Sequence, residues 1–263
     1  CIRDRSWITH ETDMDRLLAP VARLLLERAG DVRGRDVLDV GCGTGAVSLV
    51  FSDAGARVLA SDISKPLLAR TATRAAGQLE TVLADAQTAD WPRPFDLAVS
   101  RFGVMFFADP AQAFANIARA LKPGGQWLFA AWGPFYENPW WHMPQAIAAD
   151  HMKISPSRSD PRAPGPMGLS DREWSLRQMR VPGLSDVDCE TVDLTLDYPD
   201  GAAAAGALAT RVGPAARVLR LEGASETDRT EVARLIAEEL AGYETEGTVR
   251  IPARLHLYSA RKA

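Results

Sequence analysis

Val37-Leu38-Asp39-Val40-Gly41-Cys42-Gly43-Thr44-Gly45 is an apolar strand pattern that runs into three alternating glycines and then into a helical pattern. Glycine lets the backbone turn tightly and approach a ligand closely, and the helix that follows presents free amide donors at its N-terminus. A nucleoside-bearing cofactor fits that arrangement. A bare strand-to-helix turn needs fewer glycines than three.

Outward from this stretch, short apolar runs alternate with helical patterns from residue 36 to residue 132. Strands are expected at Asp36–Val40, Arg57–Ser61, Thr81–Ala84, Phe95–Ser100 and Gln126–Trp132. Strand, helix, strand at this spacing predicts an α/β fold, a doubly wound parallel sheet with helices on both faces. One helix is expected from Thr44 to Ala54, ending at Gly55, and a second after Ser64 as N-cap, through Ala76 to Gly77. Asp109-Pro110 reads as N-cap and N1 of a third, with Phe114, Ile117 and Leu121 on one stripe before Pro123-Gly124-Gly125 stops it. Residues 13–29 place Leu17, Leu18, Val21, Leu24 and Leu25 at helical spacing, predicting a leading amphipathic helix within an N-terminal arm, 1–34.

Residues 133–169 hold seven of the seventeen prolines: Pro134, Pro139, Pro144, Pro156, Pro161, Pro164 and Pro166. This density predicts a long loop with short helical pieces, the kind of segment that serves as a lid. Further strands are expected at Val187–Leu196 and Gly247–Ser259, with a helix over Glu226–Tyr243 between them. The whole chain, 1–263, reads as one domain, with 133–169 and 199–246 as a cap over one edge.

Two aspartates add to the glycine loop. Asp62 ends the second expected strand, twenty-one residues after Gly41, where a carboxylate can accept from both ribose hydroxyls. Asp85, in Ala84-Asp85-Ala86-Gln87, ends the third, placed to meet an adenine edge. Either alone could serve as a helix cap or a solvated turn residue; the pair on adjacent strands favours a ligand. Gly41, Gly43 and Ala46 also satisfy the G-x-G-x-x-A dinucleotide fingerprint, and Asp62 serves that reading equally well. The glycines leave an NAD-dependent oxidoreductase open.

Four ordered motifs then carry a resemblance. VLDVGCGTG resembles the first motif of class I S-adenosylmethionine-dependent methyltransferases, with the acidic Asp39 two residues before the first glycine. Ala84-Asp85-Ala86-Gln87, the run Phe95 to Phe102, and Leu121-Lys122-Pro123-Gly124-Gly125 resemble that superfamily's later motifs in order and spacing. Ser100 to Pro110 is similar to the small-molecule branch typified by ubiquinone and menaquinone C-methyltransferases, the methyltransferase type 11 group. The match is firm over residues 30–132. It implies a Rossmann-like, seven-stranded sheet of order 3-2-1-4-5-7-6 with the seventh strand antiparallel. It also implies S-adenosyl-L-methionine as cofactor, with Asp39, Gly41, Gly43, Thr44 and Gly45 along its methionine part, Asp62 and Ile63 at the ribose, Asp85, Ala86 and Gln87 at the adenine, and Ser100, Arg101 and Phe102 flanking the sulfonium.

Methyl transfer from a sulfonium is an in-line displacement, so the protein mainly aligns donor and acceptor and excludes water. A base matters only where the acceptor must lose a proton, as a phenol, an enolisable carbon or an amine must. Four histidines are available: His10, His142, His151 and His256. His142 stands out beside Trp140 and Trp141, with Trp132, Phe135 and Tyr136 upstream. His142 and Arg101 are the catalytic candidates, and Phe102, Met105, Tyr136, Trp140 and Trp141 the acceptor-binding ones, an aromatic set that suits an apolar or planar metabolite. The same rings could simply pin the lid, and Arg101 could be a surface ion-pair residue. No NPPY-like tetrapeptide follows the fourth strand and no Pro-Cys nucleophile is present, which disfavours amino-group and cytosine-C5 nucleic-acid acceptors. Ser100-Arg101-Phe102 stands where the metal-dependent catechol branch has carboxylates, so no metal is expected.

Composition sets the outer limits. The chain has 263 residues, 46% hydrophobic and 24% charged, with 30 basic against 34 acidic residues and a net charge of −4. That length can bury a sizeable core, and that charge argues against a surface built to neutralise nucleic-acid phosphates. Cys1, Cys42 and Cys189 form no CxxC pair, so reduced thiols and a cytoplasmic setting are expected. No stretch suggests a membrane span, and Asp4, Glu11, Asp13 and Asp15 stand where a secretory signal needs an apolar core. The expectation is a methyltransferase acting on a small molecule, with no nucleic-acid or membrane partner and a homo-oligomer left open. A protein that binds the nucleoside without catalysis is the remaining alternative.

Overall fold

The computed structural model describes residues 2–155 and 160–263. Cys1, and residues 156–159 of the expected proline-rich loop, lie outside the described residues.

The expected strands form β1 (Asp36–Val40), β2 (Arg57–Asp62), β3 (Glu80–Leu83), β4 (Phe95–Arg101) and β5 (Leu121–Trp132). They are followed by β6 (Leu184–Tyr198), the two-residue β7 (Glu244–Thr245) and β8 (Thr248–Lys262). The sheet order is β3-β2-β1-β4-β5-β8-β6, with β7 paired to β8. β1 to β5 pair in parallel. β8 runs antiparallel to β5, from Gln126 opposite Arg261 to Trp132 opposite Leu255. The sheet therefore has eight strands where seven are expected: β7 is the addition, and β8 is the antiparallel strand expected as the seventh. Order along the sheet is otherwise the Rossmann-like one.

Among the described residues the helices are α1 (Ile2–Thr9), α2 (Glu11–Leu17), α3 (Ala19–Ala29), α4 (Ala46–Asp53), α5 (Lys65–Ala75) and α6 (Pro110–Ala120). Then come α7 (Pro139–His151), α8 (Arg172–Met179), α9 (Gly201–Ala209), α10 (Pro214–Leu221) and α11 (Glu226–Leu240). Local chemistry sets several helix starts. The Ser64 hydroxyl accepts from the Leu67 amide at the start of α5, and the Asp109 carboxylate accepts from the Gln112 amide with Pro110 in the first turn of α6. Ser225 and Asp228 form a capping box on α11.

Three expectations need correction. The single helix over 13–29 is two, because Pro20 lacks the amide that would continue the ladder and crowds the preceding turn. Leu121 does not close the α6 stripe but opens β5. Leu121 pairs with Phe95 and Gln126 with Leu97, so Lys122–Gly125 bulges out of the sheet rather than merely ending a helix. The proline-rich segment carries a regular thirteen-residue helix, α7, with Pro139 in its first turn and Pro144 inside it.

The chain divides into two compact units. One comprises Val21–Gly133, Asp160–Val192 and Leu255–Ala263. Its core is aromatic: Phe114 of α6 stacks on Phe129 of β5 at 5.5 Å between ring centroids, and Phe129 stacks on Tyr258 of β8 at 4.8 Å. The other unit takes in the described residues of Cys1–Pro20, Pro134–Ser159 and Asp193–Arg254. Here α9 crosses α11 closely enough that a Cβ on Gly206 would lie 2.4 Å from the Ala233 carbonyl oxygen. The Asn138 side chain bonds both the carbonyl and the amide of Arg254, at 3.1 and 2.9 Å. The Arg254 guanidinium pairs with Asp193 and Glu137.

Candidate active site

The carboxyl ends of β1, β2, β3 and β4 carry the cofactor candidates, all within the first unit. Gly41, Gly43 and Gly45 have φ of +69°, +61° and +86°, left-handed values that a side chain disfavours. The amides of Gly41 and Cys42 both donate to the Ser61 carbonyl, which pins the loop to β2. The Gly43 amide donates to Asp62 Oδ2 at 2.8 Å, and the Ser64 amide to Asp62 Oδ1 at 2.7 Å. Asp62 is therefore buried and oriented by backbone donors, while Ile63 beside it is 69% exposed, an apolar surface available to a ligand.

Asp39 lies beneath the loop, 1% exposed. The Ser48 hydroxyl of α4 donates to its Oδ2 at 2.6 Å, and its Oδ1 has no hydrogen-bond partner. Burial raises its pKa from 3.8 to about 6, opposed by the Ser48 hydrogen bond and the positive charge of Arg101. A buried carboxylate oxygen without a partner is costly unless a ligand supplies one. The Cys42 thiol, between the glycines, is pushed well up by burial and then by the charges of Asp39 and Asp62.

Asp85 lies just past β3. Its Oδ1 accepts from the Gln87 amide at 2.9 Å, and the Gln87 side-chain amide contacts both of its oxygens. The fully packed Asn116 of α6 donates to the carbonyls of Ala86 and Ala89, fixing this turn. Ser100 is buried and its hydroxyl accepts from the Gly103 amide at 3.2 Å. Arg101 ends β4, near enough to Asp39 to favour its charged form. Phe102 takes φ +64°, an outlier for a bulky residue, and stacks on Trp132 at 4.5 Å with only 3° between the rings. Met105 is buried.

The other acceptor candidates belong to the second unit. Tyr136 is exposed and Trp140 buried. His142 packs near Phe135 and Tyr136, at 6.4 and 6.2 Å between centroids, and burial lowers its pKa. A neutral imidazole is the form able to take a proton.

Three supporting residues carry no sequence signature. The buried Thr71 of α5 donates its hydroxyl to the Gly43 carbonyl at 2.8 Å, and its methyl group fills the space a Cβ on Gly45 would need. One turn on, Arg74 donates to the carbonyl and hydroxyl of Thr44. Ser48 holds Asp39. Only their helical spacing from Ser64 and Gly45 could have pointed to them. Among the described residues, no group of three or more His, Cys, Asp or Glu is arranged to hold a metal ion, and no helix is long and apolar enough to cross a membrane.

Comparison with known proteins bears on the family and the fold. A family described as a methyltransferase domain matches residues 38–129. The chain is 39% identical over 115 residues to malonyl-(acyl-carrier protein) O-methyltransferase of Pseudescherichia vulneris, covering 41% of this chain and 43% of that protein. It is 30% identical over 171 residues to demethylmenaquinone methyltransferase of Renibacterium salmoninarum, covering 63% of this chain and 70% of that protein. The first curated relatives are matched over less than half of their length. The solved structure of the YcgJ protein from Bacillus subtilis superposes with a TM-score of 0.55 at 16% identity, over 93% of this chain and 98% of that one, a likeness of fold.

Proposed function

The chain belongs to the S-adenosylmethionine-dependent methyltransferases, and from that premise we propose that it methylates a small, apolar or aromatic metabolite at carbon, oxygen or nitrogen. Family membership decides between the two readings that the glycine spacing leaves open, and S-adenosylmethionine is the cofactor. The observation that carries the site assignment is the buried Asp39 with one unpartnered oxygen. The ammonium of an amino-acid moiety is the complement such an oxygen lacks, and pairing would recover the cost of burying the charge. Pairing requires a small opening of the loop backbone over the buried Oδ1, which glycines without side chains permit, so the residues present fit the group.

When bound, S-adenosylmethionine supplies a methyl group activated on a sulfonium sulfur. In this reading Asp39 and the backbone of Gly41, Gly43, Thr44 and Gly45 hold the amino-acid end. Asp62, locked by the Gly43 and Ser64 amides, accepts from the ribose hydroxyls, and Ile63 covers the sugar. Asp85 and Ala86 meet the adenine edge, held in place by Gln87 and Asn116. Ser100, Arg101 and Phe102 flank the reacting centre. Arg101 stays protonated and balances Asp39 rather than exchanging protons. The Phe102 ring, fixed by its stack on Trp132, offers a π-face near the sulfonium. Phe102 and Met105 of the first unit bind the acceptor; in the second unit Tyr136 lies beside His142, whose imidazole, its pKa lowered by burial, is in the form that can take a proton.

The small-molecule assignment rests on the acidic net charge and the aromatic acceptor set. The free thiols of Cys42 and Cys189 fit the cytoplasmic setting that belongs to the same proposal. Incubation with methyl-labelled S-adenosylmethionine and a metabolite extract tests it: label should appear in an extractable small molecule. Label only in RNA or protein, or in no product, would refute it, and the second outcome would leave a non-catalytic nucleoside-binding protein.

A further inference from the structure

Gly103 and Gly168 are glycine for want of space, not for conformation. Gly103 has φ −74° and ψ −40°, open to every residue, and Gly168 has no left-handed φ. A Cβ on Gly103 would lie 2.7 Å from the carbonyl oxygens of both Val40 and Gly41, and one on Gly41 would lie 2.8 Å from the Gly103 Cα. A Cβ on Gly168 would lie 2.5 Å from the Met105 carbonyl oxygen. Three backbones are thus in direct contact: the glycine loop, the turn after β4, and the segment 163–170. The Gly165 amide donates to the same Met105 carbonyl at 2.9 Å. On its other side the segment is anchored, its Leu169 carbonyl accepting from the Tyr258 hydroxyl of β8 at 2.9 Å and the Ser175 hydroxyl of α8 at 3.2 Å.

We propose that residues 163–170 form a strap that positions the cofactor loop, with Gly168 as the positioning residue. Its bare Cα lets the strap press the 103–105 turn onto Gly41, and so sets how the loop backbone meets the ligand. The proposal rests on the methyltransferase reading of the site. It gives a function to a segment that bears on the cofactor loop through Met105 and Gly103.

In Gly168→Ala the added Cβ would meet the Met105 carbonyl at 2.5 Å and the strap's own Ala163 carbonyl at 2.8 Å, so the strap and the 103–105 turn must separate by about 0.5 Å to restore a contact of about 3.0 Å. A hydrogen bond from the loop backbone to a charged group of the ligand, lost through such a shift, is worth roughly tenfold or more in affinity. Calorimetric titration with S-adenosylhomocysteine should therefore show a Kd raised tenfold or more in Gly168→Ala. Val232→Ala, buried on α11 in the other unit, controls for lost stability and should stay within twofold of wild type. A Gly168→Ala value within twofold of wild type, or an equal loss in Val232→Ala, overturns the proposal. Should Gly168→Ala not fold, hydrogen exchange on the wild-type protein decides: coupling is reciprocal, so the nucleoside should slow exchange of the Gly165 amide at least threefold, and unchanged exchange overturns the strap. No binding by the wild type is a separate failure, of the methyltransferase reading itself and of the strap with it.

Discussion

Asp39→Asn removes a buried charge while keeping the side chain's shape. Burial lifts the Asp39 pKa from 3.8 to about 6, so the native state holds this proton more tightly than the unfolded chain does. Over that interval the unfolded state binds fewer protons, and this group lowers stability as pH rises from about 4 to 6. At pH 7 the ionised form costs about 3 kcal/mol relative to the unfolded carboxylate. Asn avoids that cost but places an amide N–H where Oδ1 has no partner, a penalty of about 1–3 kcal/mol. The net expectation is a protein at pH 7 between about 0 and 2 kcal/mol more stable, a melting temperature raised by up to several degrees. The ligand effect has the opposite sign: losing the charge opposite a buried ammonium should cost about 2 kcal/mol or more, roughly thirtyfold in Kd. Scanning calorimetry from pH 4 to 7.5 and titration with S-adenosylhomocysteine read both. The melting temperature of the variant relative to wild type should rise between pH 4 and 6, as the Asp39 contribution is removed. A variant that melts several degrees lower at pH 7 yet binds the nucleoside normally would refute the assignment of Asp39.

Other perturbations test separate parts of the site. Affinity for S-adenosylhomocysteine should fall as pH drops below about 6, where Asp39 takes up a proton, by at most about tenfold per unit; a flat profile from pH 7 to 5 would contradict the ammonium pairing. Thr71→Val keeps the shape against Gly45 but leaves the Gly43 carbonyl without its 2.8 Å donor, so S-adenosylhomocysteine should bind several-fold more weakly, with about 1 kcal/mol of stability lost. Ser225→Ala breaks the capping box of α11 and should cost about 1 kcal/mol in urea denaturation with no change in nucleoside affinity. If His142 is the acceptor's base, His142→Gln should lower kcat, leave cofactor KM unchanged and remove the acidic limb of the pH–rate profile.

How much of this was legible in the sequence follows from where the determining interactions lie. β1 was readable to the residue because Val37, Leu38 and Val40 form a short apolar run, with Asp36 before it and Asp39 within it, closed by glycines whose left-handed φ values confirm why they are there. Asp62 and Asp85 could be placed because strand ends are where such a sheet presents polar groups. Thr71, Arg74 and Ser48 could not, since each acts across space from a helix face and no spacing rule singles it out. The helix α7 was hidden by proline density, although Asn138-Pro139 repeats the N-terminal pattern of Asp109-Pro110; the Asn138 side chain, engaged by Arg254, does not cap it. β7 is too short for any periodicity to reveal. Gly168 gave no signal either, because the tightest of the carbonyls that exclude a side chain there belongs to Met105, sixty-three residues away in sequence.

The central claim is that the carboxyl ends of β1, β2 and β3 bind the adenosyl cofactor with Asp62 on its sugar, and titration calorimetry of wild type and Asp62→Ala with S-adenosylhomocysteine tests it most directly. The account predicts one nucleoside bound per chain by the wild type and an affinity at least tenfold weaker in the variant. No heat of binding with the wild type, or equal affinities in the two proteins, would contradict it.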